Sequence, residues 1–504
     1  MRLPIILIFA SLALTGTAQR PTQLKFAPCP ITRSFLGNGV QWSAYPHADS
    51  PTAEWGELMT AAKWKTVFER LDFMRPRMVR VMDQAHWRYY KGLDEQGEPV
   101  TDFDTPEVRS LCMLLDYCQR NGIAVMIGEW GTPDNGIRPE GILRADDPRW
   151  SRMIGRFLEY LLDTKGYTCI RYYNLVNEPN GDWASTDGNW DEWSRGYRMM
   201  HDELVRRGLD GRIGLAGPDV VANFNHKKSP VQGRDWVRLT AEKMPDITAL
   251  YDVHPYPDQN TIRSGTFYRY YSDILNLTAS RPKPFVFGEL GLKYKGEMGA
   301  EQRRRAAADT VASDNDSQMF VYEYFYGVDM TDALLQAMMA GFSGAIAWDL
   351  DDAMHTEGDT GDRCKLKRWG MWNSLGTEFG NPGDERLRPW FYPWSLMCRC
   401  FTPGMEIYAM ERPFERGLRA VKGTDGQNCS VTLLNSGEET LTVHLPEEEL
   451  REFLPLYRYV YSETFAPKNR KGFPKAAGRE KKTVQGHVSV EIPGRSFVLL
   501  TTIR

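Results

Sequence analysis

The chain has 504 residues, 42% of them hydrophobic and 25% charged, with a formal net charge of −4. This composition excludes disordered and collagen-like classes, leaves room for more than one domain, and makes nucleic acid a poor partner. Eight cysteines without a CxxC pair or neighbouring histidines argue against a metal centre and fit buried thiols, with one or two disulfides open in an exported chain.

The chain opens on MRLPIILIFASLALTGTAQR, with one basic residue, an apolar run from Pro4 to Leu14, and the small residues Gly16 and Ala18 spaced like a signal-peptidase site. Residues 1–18 are therefore expected to be a cleaved signal peptide, and the protein to be periplasmic or extracellular. A run of about 11 apolar residues is too short for a membrane span, which needs roughly 20.

From residue 35 to 350, short β-rich apolar runs alternate with helical patterns, the signature of repeated βα units. Eight runs are expected to be strands: LGNGVQW (36–42), MVRVMD (78–83), AVMIGEW (124–130), RYYNLVNEP (171–179), RIGLAGPD (212–219), ALYDVHPY (249–256), PFVFGELG (284–291) and GAIAWDL (344–350). One intervening helix is explicit at 105–121: Thr105 as N-cap, Pro106 at the first position, Leu111, Leu114, Leu115 and Cys118 at helical spacing, and Gly122 to close it. Eight βα units predict a (β/α)8 TIM barrel over residues 19–401, with the active site at the C-terminal strand ends. A doubly wound open sheet is the alternative, but no GxGxxG or phosphate loop follows the first strand.

After RPWFYPWSLMCRCF (388–401), residues 402–504 change to short alternating segments, such as NCSVTLL and HVSVEI, punctuated by turns. They predict a small antiparallel β-sandwich in which Cys429, Val431 and Leu433 face one way and Ser430 and Thr432 the other. The basic run PKNRKGFPKAAGREKK (467–482) reads as a solvated hairpin loop, not a binding patch.

Two glutamates stand at strand mouths in line with each other. Glu178 follows the fourth strand in NLVNEPNGDW, and Glu289 ends the seventh in FGELG. A closed barrel aims both into one cleft, and two facing carboxyl groups are what glycoside cleavage needs: one protonated for the leaving group, one ionised to attack or to activate water.

The Asn-Glu-Pro after the fourth strand, DVHPYP after the sixth, Gly-Glu in the seventh and Trp348 in IAWD resemble the clan A glycoside hydrolases near families five and thirty-nine. The resemblance implies a secreted retaining β-glycoside hydrolase acting on a polysaccharide or oligosaccharide, with Glu178 as acid/base and Glu289 as nucleophile about 5 to 5.5 Å apart. It implies substrate-side roles for Arg80 beside the nucleophile, Asn177 at the sugar 2-hydroxyl, His254 and Tyr256 around the nucleophile, and Trp348 as a stacking platform. No cofactor or metal is implied, the partner is carbohydrate, and the protein is expected to be a monomer. A non-catalytic glycan-binding barrel and a transglycosylase using the same site are the alternatives.

Family five members commonly carry a histidine near the end of strand three, where this chain has Glu129 and Trp130, while AGPD of strand five looks closer to family thirty-nine. Glu129, in IGEWG, is expected to touch a substrate hydroxyl or a neighbouring side chain. Trp130, Trp183, Trp190, Trp369 and Trp372 suggest an aromatic rim, with ordinary packing as the other reading. The acidic loop DLDDAMHTEGDTGD (349–362) lacks EF-hand spacing and is expected to be solvated or substrate-facing.

Overall fold

Eight parallel strands close on themselves in chain order in the computed structural model, which describes residues 20–43, 45, 58–133, 141–313, 316–354, 365–480 and 485–504. They are Gly39–Gln41, Met78–Asp83, Ala124–Glu129, Ile170–Asn174, Gly214–Val220, Thr248–Val253, Phe285–Leu290 and Gly344–Ala347, hereafter the first to eighth strands. Closure is made by the eighth strand on the first, with Ile346 opposite Gly39. The expected barrel is present, five strands lying within their predicted runs and three overrunning them by one residue, at Ile170, Val220 and Thr248. The expected signal segment lies outside the described residues.

The helix between the second and third strands shows why these residues fold as they do. Thr105 accepts a hydrogen bond from the amide of Val108 at 3.2 Å, Pro106 opens the helix Pro106–Asn121, and Gly122 ends it with φ 62°. Its buried stripe of Leu111, Leu114, Leu115 and Cys118 packs on the outside of the barrel.

The inside of the barrel is built by period-two alternation. Met78, Met126, Ala216, Leu250, Val286 and Ile346 form a closed apolar layer deep in the barrel. Two residues further along the same strands, toward the mouth, stand Arg80, Gly128, Pro218, Asp252, Gly288 and Trp348. The interior thus turns from apolar to polar in one step, which places the charged groups at the C-terminal ends.

The C-terminal region is a two-sheet β-sandwich. One sheet has six strands (Glu406–Ala409, Leu418–Thr424, Cys429–Asn435, Ser496–Thr501, Leu456–Tyr461 and Gly478–Glu480 in spatial order). The other pairs Leu441–Pro446 with His487–Ile492 and with Thr22–Gln23 near the start of the described chain. Residues 22–32, which the sequence reading assigns to the barrel, thus belong to the sandwich: Thr22 lies opposite Val443, and Phe26 and Thr32 bridge to Met410 and Ile407. So short a segment gives no periodicity from which its partner could be read.

Cys429, Val431 and Leu433 do enter the sandwich core. The opposite face is buried as well: Ser430 donates to the carbonyl of Cys400 at 2.7 Å and Thr432 packs on Met397, both on the barrel helix Phe391–Cys400. A buried ion pair, Arg419 to Asp332 at 3.0 Å, joins the two domains. The seven described cysteines are all free thiols. No helix among the described residues is long and apolar enough to cross a membrane.

Candidate active site

Glu289 sits where the seventh strand breaks its regular pairing. Phe287 is opposite Ala345 but Leu290 is opposite Ala347, so one extra residue is accommodated between them. In a regular strand the residue after the inward Gly288 would point outward; the bulge lets Glu289 turn into the cleft. Gly288 is required for a second reason: a Cβ there would come within 2.2 Å of the Asp252 carboxyl group, which accepts a hydrogen bond from the Gly288 amide at 2.6 Å.

Glu178 follows the fourth strand with a positive φ of 46°, a conformation that a residue with a side chain adopts only at a cost of roughly 1–3 kcal/mol. Its amide donates to the carbonyl of Asp219 at 3.0 Å and the amide of Asn177 to the carbonyl of Glu129 at 2.9 Å, which fixes the turn. Asp219 also has positive φ, 63°, so the two strained residues lie side by side at the mouth.

The two glutamates face one another: an oxygen of each lies within 4.8 Å of the other, with His254 between them. Glu289 is 4% exposed and accepts from Arg80 Nη1 at 2.6 Å and from the Tyr256 hydroxyl at 2.5 Å. Glu178, 12% exposed at its side chain, accepts from the indole N–H of Trp183 at 2.8 Å and lies 3.1 Å from His254 Nδ1.

Arg80 is fully buried and holds the site together, also donating to Asn177 Oδ1 at 2.9 Å and to Asp219 at 3.1 Å. Burial works against its charge, but Asp219 and Glu289 outweigh burial and keep it a fixed cation. Burial likewise disfavours ionisation of Asp219, yet Arg80 and His254 hold its carboxyl well below the usual carboxylate range. Burial opposes a charge on His254, while Glu289 and Asp219 push it well above the usual imidazole value. Asp252 goes the other way: burial first, then Asp219 beside it, raise it well above the usual range, so it stands as the protonated partner of that pair. Burial and Glu289 raise Tyr256, which remains a phenol donor.

The site therefore unites Arg80, Asn177, Glu178, His254, Tyr256 and Glu289 as the sequence reading proposes. It adds Asn174, Asp219 and Asp252, which that reading did not single out. Asn174 donates to Asp219 at 2.9 Å and to Asp252 at 3.3 Å. The available signal was their position: each is a polar residue within two places of a strand's C-terminal end.

Trp130, Trp348 and Trp369 cluster with Met82 and Tyr256 as an apolar wall. Trp348 is only 4% exposed, so it forms the floor of the cleft instead of an open platform. Trp183 is 49% exposed, its ring 4.7 Å from Phe224. Gly181 is shaped to it: a Cβ there would meet the Trp183 ring at 2.3 Å.

Of the two contacts expected of Glu129, the structure shows the one to a neighbouring side chain: turned away from the cleft and 1% exposed, it accepts from Tyr89 at 2.8 Å and from the Ala85 amide at 3.1 Å. Its strand pairs regularly with the second strand, so Trp130 points in and Glu129 out. Burial, and then Asp83 opposite it, raise its carboxyl well above the usual range. Trp190 and Trp372 are core residues, the first packed on Trp193 and Trp236, the second donating to Asp351 at 2.8 Å. The described start of the acidic loop is buried, not solvated: Asp352 accepts from Arg388 at 2.9 Å and Asp351 from Tyr45 at 2.9 Å. The remainder of that loop, 355–362, lies outside the described residues.

Glu178, His254 and Glu289 lie close enough to surround a metal ion, as do Asp219, Asp252 and His254. In both groups carboxylate oxygens are already engaged by the Arg80 guanidinium, a fixed cation that opposes a second one.

A (β/α)8 barrel with a buried Arg-carboxylate network and two glutamates across its mouth is an enzyme-like site on a fold with many chemistries. No family model and no curated protein matches the sequence. Solved structures do share the fold. A glycoside hydrolase family 30 subfamily 8 xylanase from Clostridium acetobutylicum is 11% identical, with 95% of this chain and 98% of that one covered at a TM-score of 0.57. A family 39 β-xylosidase from Caulobacter crescentus is 13% identical, covering 95% and 98% at 0.58. A conserved exported protein from Bacteroides fragilis is 13% identical, covering 93% and 98% at 0.63. The chain thus has the barrel-plus-sandwich architecture found in glycoside hydrolases of families 30 and 39.

Proposed function

We propose that this protein is an exported retaining β-glycoside hydrolase acting on a β-linked polysaccharide or its oligosaccharides. The observation that carries the reading is the Glu178–Glu289 pair, with oxygens within 4.8 Å across the cleft. That closeness fits the roughly 5 to 5.5 Å carboxyl spacing of retaining enzymes better than the roughly 6.5 to 9.5 Å that leaves room for water in inverting ones.

The asymmetry of the pair supports a division of roles. Glu289, clamped by Arg80 and Tyr256, attacks the anomeric carbon. Glu178, nearer solvent, protonates the departing glycosidic oxygen, then takes a proton from the water that releases the sugar. The oxygen of Asn177 is taken by Arg80, so its amide hydrogens are the donors for the sugar 2-hydroxyl, where a hydrogen bond strengthens in the transition state. Trp348 and Trp130 wall the bound sugar, and Trp183 meets the leaving group beside Glu178. The names of the structural neighbours make xylan and β-xylosides the first substrates to try.

The test is hydrolysis by the wild type and Glu289→Ala across a panel of β-glycans, with trapping by a 2-fluoro glycoside and peptide mapping. Loss of reducing-sugar release in the variant and a label on Glu289 are expected. Equal release by both proteins sinks the enzyme reading in favour of a glycan-binding barrel, and a label on another residue overturns the role of Glu289. Products with sugar transferred to an added acceptor, in place of water, would make it a transglycosylase.

A further inference from the structure

A second recess lies at the other end of the molecule, between the closed end of the barrel and the sandwich. It has a volume of about 870 Å³ and is walled by Phe73, just before the second strand begins, by Arg399 of the last barrel helix, and by strands and loops of the sandwich. Its charged lining is Arg399, Lys475, Arg479 and Arg504; no acidic side chain lines it among the described residues. The basic run 467–482, read from sequence as a solvated loop, supplies two of these cations.

Two of these cations are held by their neighbours. Arg399 donates to the main-chain carbonyl of Phe73 at 2.7 Å and to a chain-terminal oxygen of Arg504 at 3.1 Å, and lies 5.1 Å from the Phe73 ring centroid. Arg479 stacks on the Tyr457 ring at 4.2 Å and donates to its hydroxyl. The partner of Arg479 is a neutral phenol, and no acidic side chain lines the recess beside it among the described residues. Arg75 and Arg77 add to the same field, disfavouring the charge on Arg399 after burial has done so. A fixed cationic recess with aromatic walls on a chain of net charge −4 is a local feature, not a consequence of overall charge.

We propose that this recess binds an anionic glycan, its carboxylate or sulfate groups on Lys475 and Arg479 and its sugar rings against the recess wall. Guanidinium groups present paired donors to such oxyanions, and aromatic rings accept the C–H faces of sugars. The site would tether the protein to a charged polymer while the barrel mouth, at the opposite end, stays open. The proposal does not depend on the reaction at Glu178 and Glu289.

The test is affinity electrophoresis of the full chain through gels containing dextran sulfate, polygalacturonate or neutral dextran. Retardation by a charged polymer and none by neutral dextran is expected, the two charged gels separating sulfate from carboxylate recognition. The Lys475→Glu/Arg479→Glu variant should lose at least about tenfold in apparent affinity, while Arg238→Glu/Arg304→Glu, with the same charge change elsewhere, should lose none. Equal losses in the two variants, or wild-type retardation in the first, overturn the proposal. So does binding to phosphatidylglycerol vesicles that depends on Lys475 and Arg479 without retardation by either charged polymer. Thermal melts of each variant confirm that folding is intact.

Discussion

Arg80 Nη1 donates to Glu289 Oε1 at 2.6 Å, and neither side chain is more than 4% exposed. The same guanidinium pairs with Asp219 and holds Asn177, so one residue from the second strand ties together the ends of the fourth, fifth and seventh. Replacing it with Met leaves two buried carboxylates without their cation. A loss of about 3–5 kcal/mol is expected, together with loss of glycoside hydrolysis, since removing one member of a buried pair strands the other. Denaturant titration measures the first and product release the second. A stability loss under about 1 kcal/mol would mean that the network does not bear on the fold.

Asp252 and Asp219 are neighbours with opposite preferences, and isosteric amides separate them. Asp252→Asn mimics the protonated form: its oxygen still accepts from Gly288 and its nitrogen can donate to Asp219. It should fold and retain activity within about threefold, because a neutral side chain is what this position already holds. Asp219→Asn removes the anion between Arg80 and His254 and should cost about 2–4 kcal/mol and most of the activity. Thermal melts and initial rates on the two variants decide, and an inverted order would refute the assignment of the proton.

His254 gives a pH dependence with a defined sign. Its folded-state pKa lies above the unfolded value of about 6.5. Its pairing with Asp219 therefore contributes stability that is fully present below about pH 6.5 and is lost as pH rises through the folded value. Asp219, depressed in the fold, contributes above about pH 3.9 and is lost only on acidification below that. Unfolding free energy measured from pH 6 upward should fall in the wild type more steeply than in His254→Gln. Parallel curves would show that His254 does not titrate above its unfolded value.

Trp183 touches Glu178 through one N–H while its ring remains half exposed. Trp183→Phe keeps the ring against Phe224 and removes the donor, so kcat should fall about tenfold with stability changed by less than about 0.5 kcal/mol. Trp183→Ala removes the ring as well and should also raise KM for long oligosaccharides more than for short glycosides. If the two variants show the same KM on long substrates, the ring does not contact the leaving sugar.

The strands, the barrel and the glutamate pair were legible because they rest on local rules. A run of β-branched and aromatic residues, a capped helix such as 105–121 and a glutamate at a strand end carry their signals within ten or twenty residues. FGELG and IGEWG show the limit. Both place a glutamate after an inward glycine, and counting strands ranks Glu289 over Glu129 without saying where either side chain points. The answer lies in register: the seventh strand carries an extra residue before Leu290, the third does not, and period-two alternation sends Glu289 in and Glu129 out.

What the sequence by itself determined is the kind of scaffold and the presence of two carboxylates at its mouth, because periodicity, capping and strand order are properties of the chain. What only the tertiary structure decided is which groups meet and in what charge state. Asp219 and Asp252, both plain aspartates in the sequence, are separated by a cation and an imidazole on one side and a neighbouring carboxylate on the other. The basic run 467–482 gains meaning only when Arg399 and Arg504 are packed against it. Electrostatic character depends on neighbours distant in the chain and on exclusion of water, and neither is written in any local pattern.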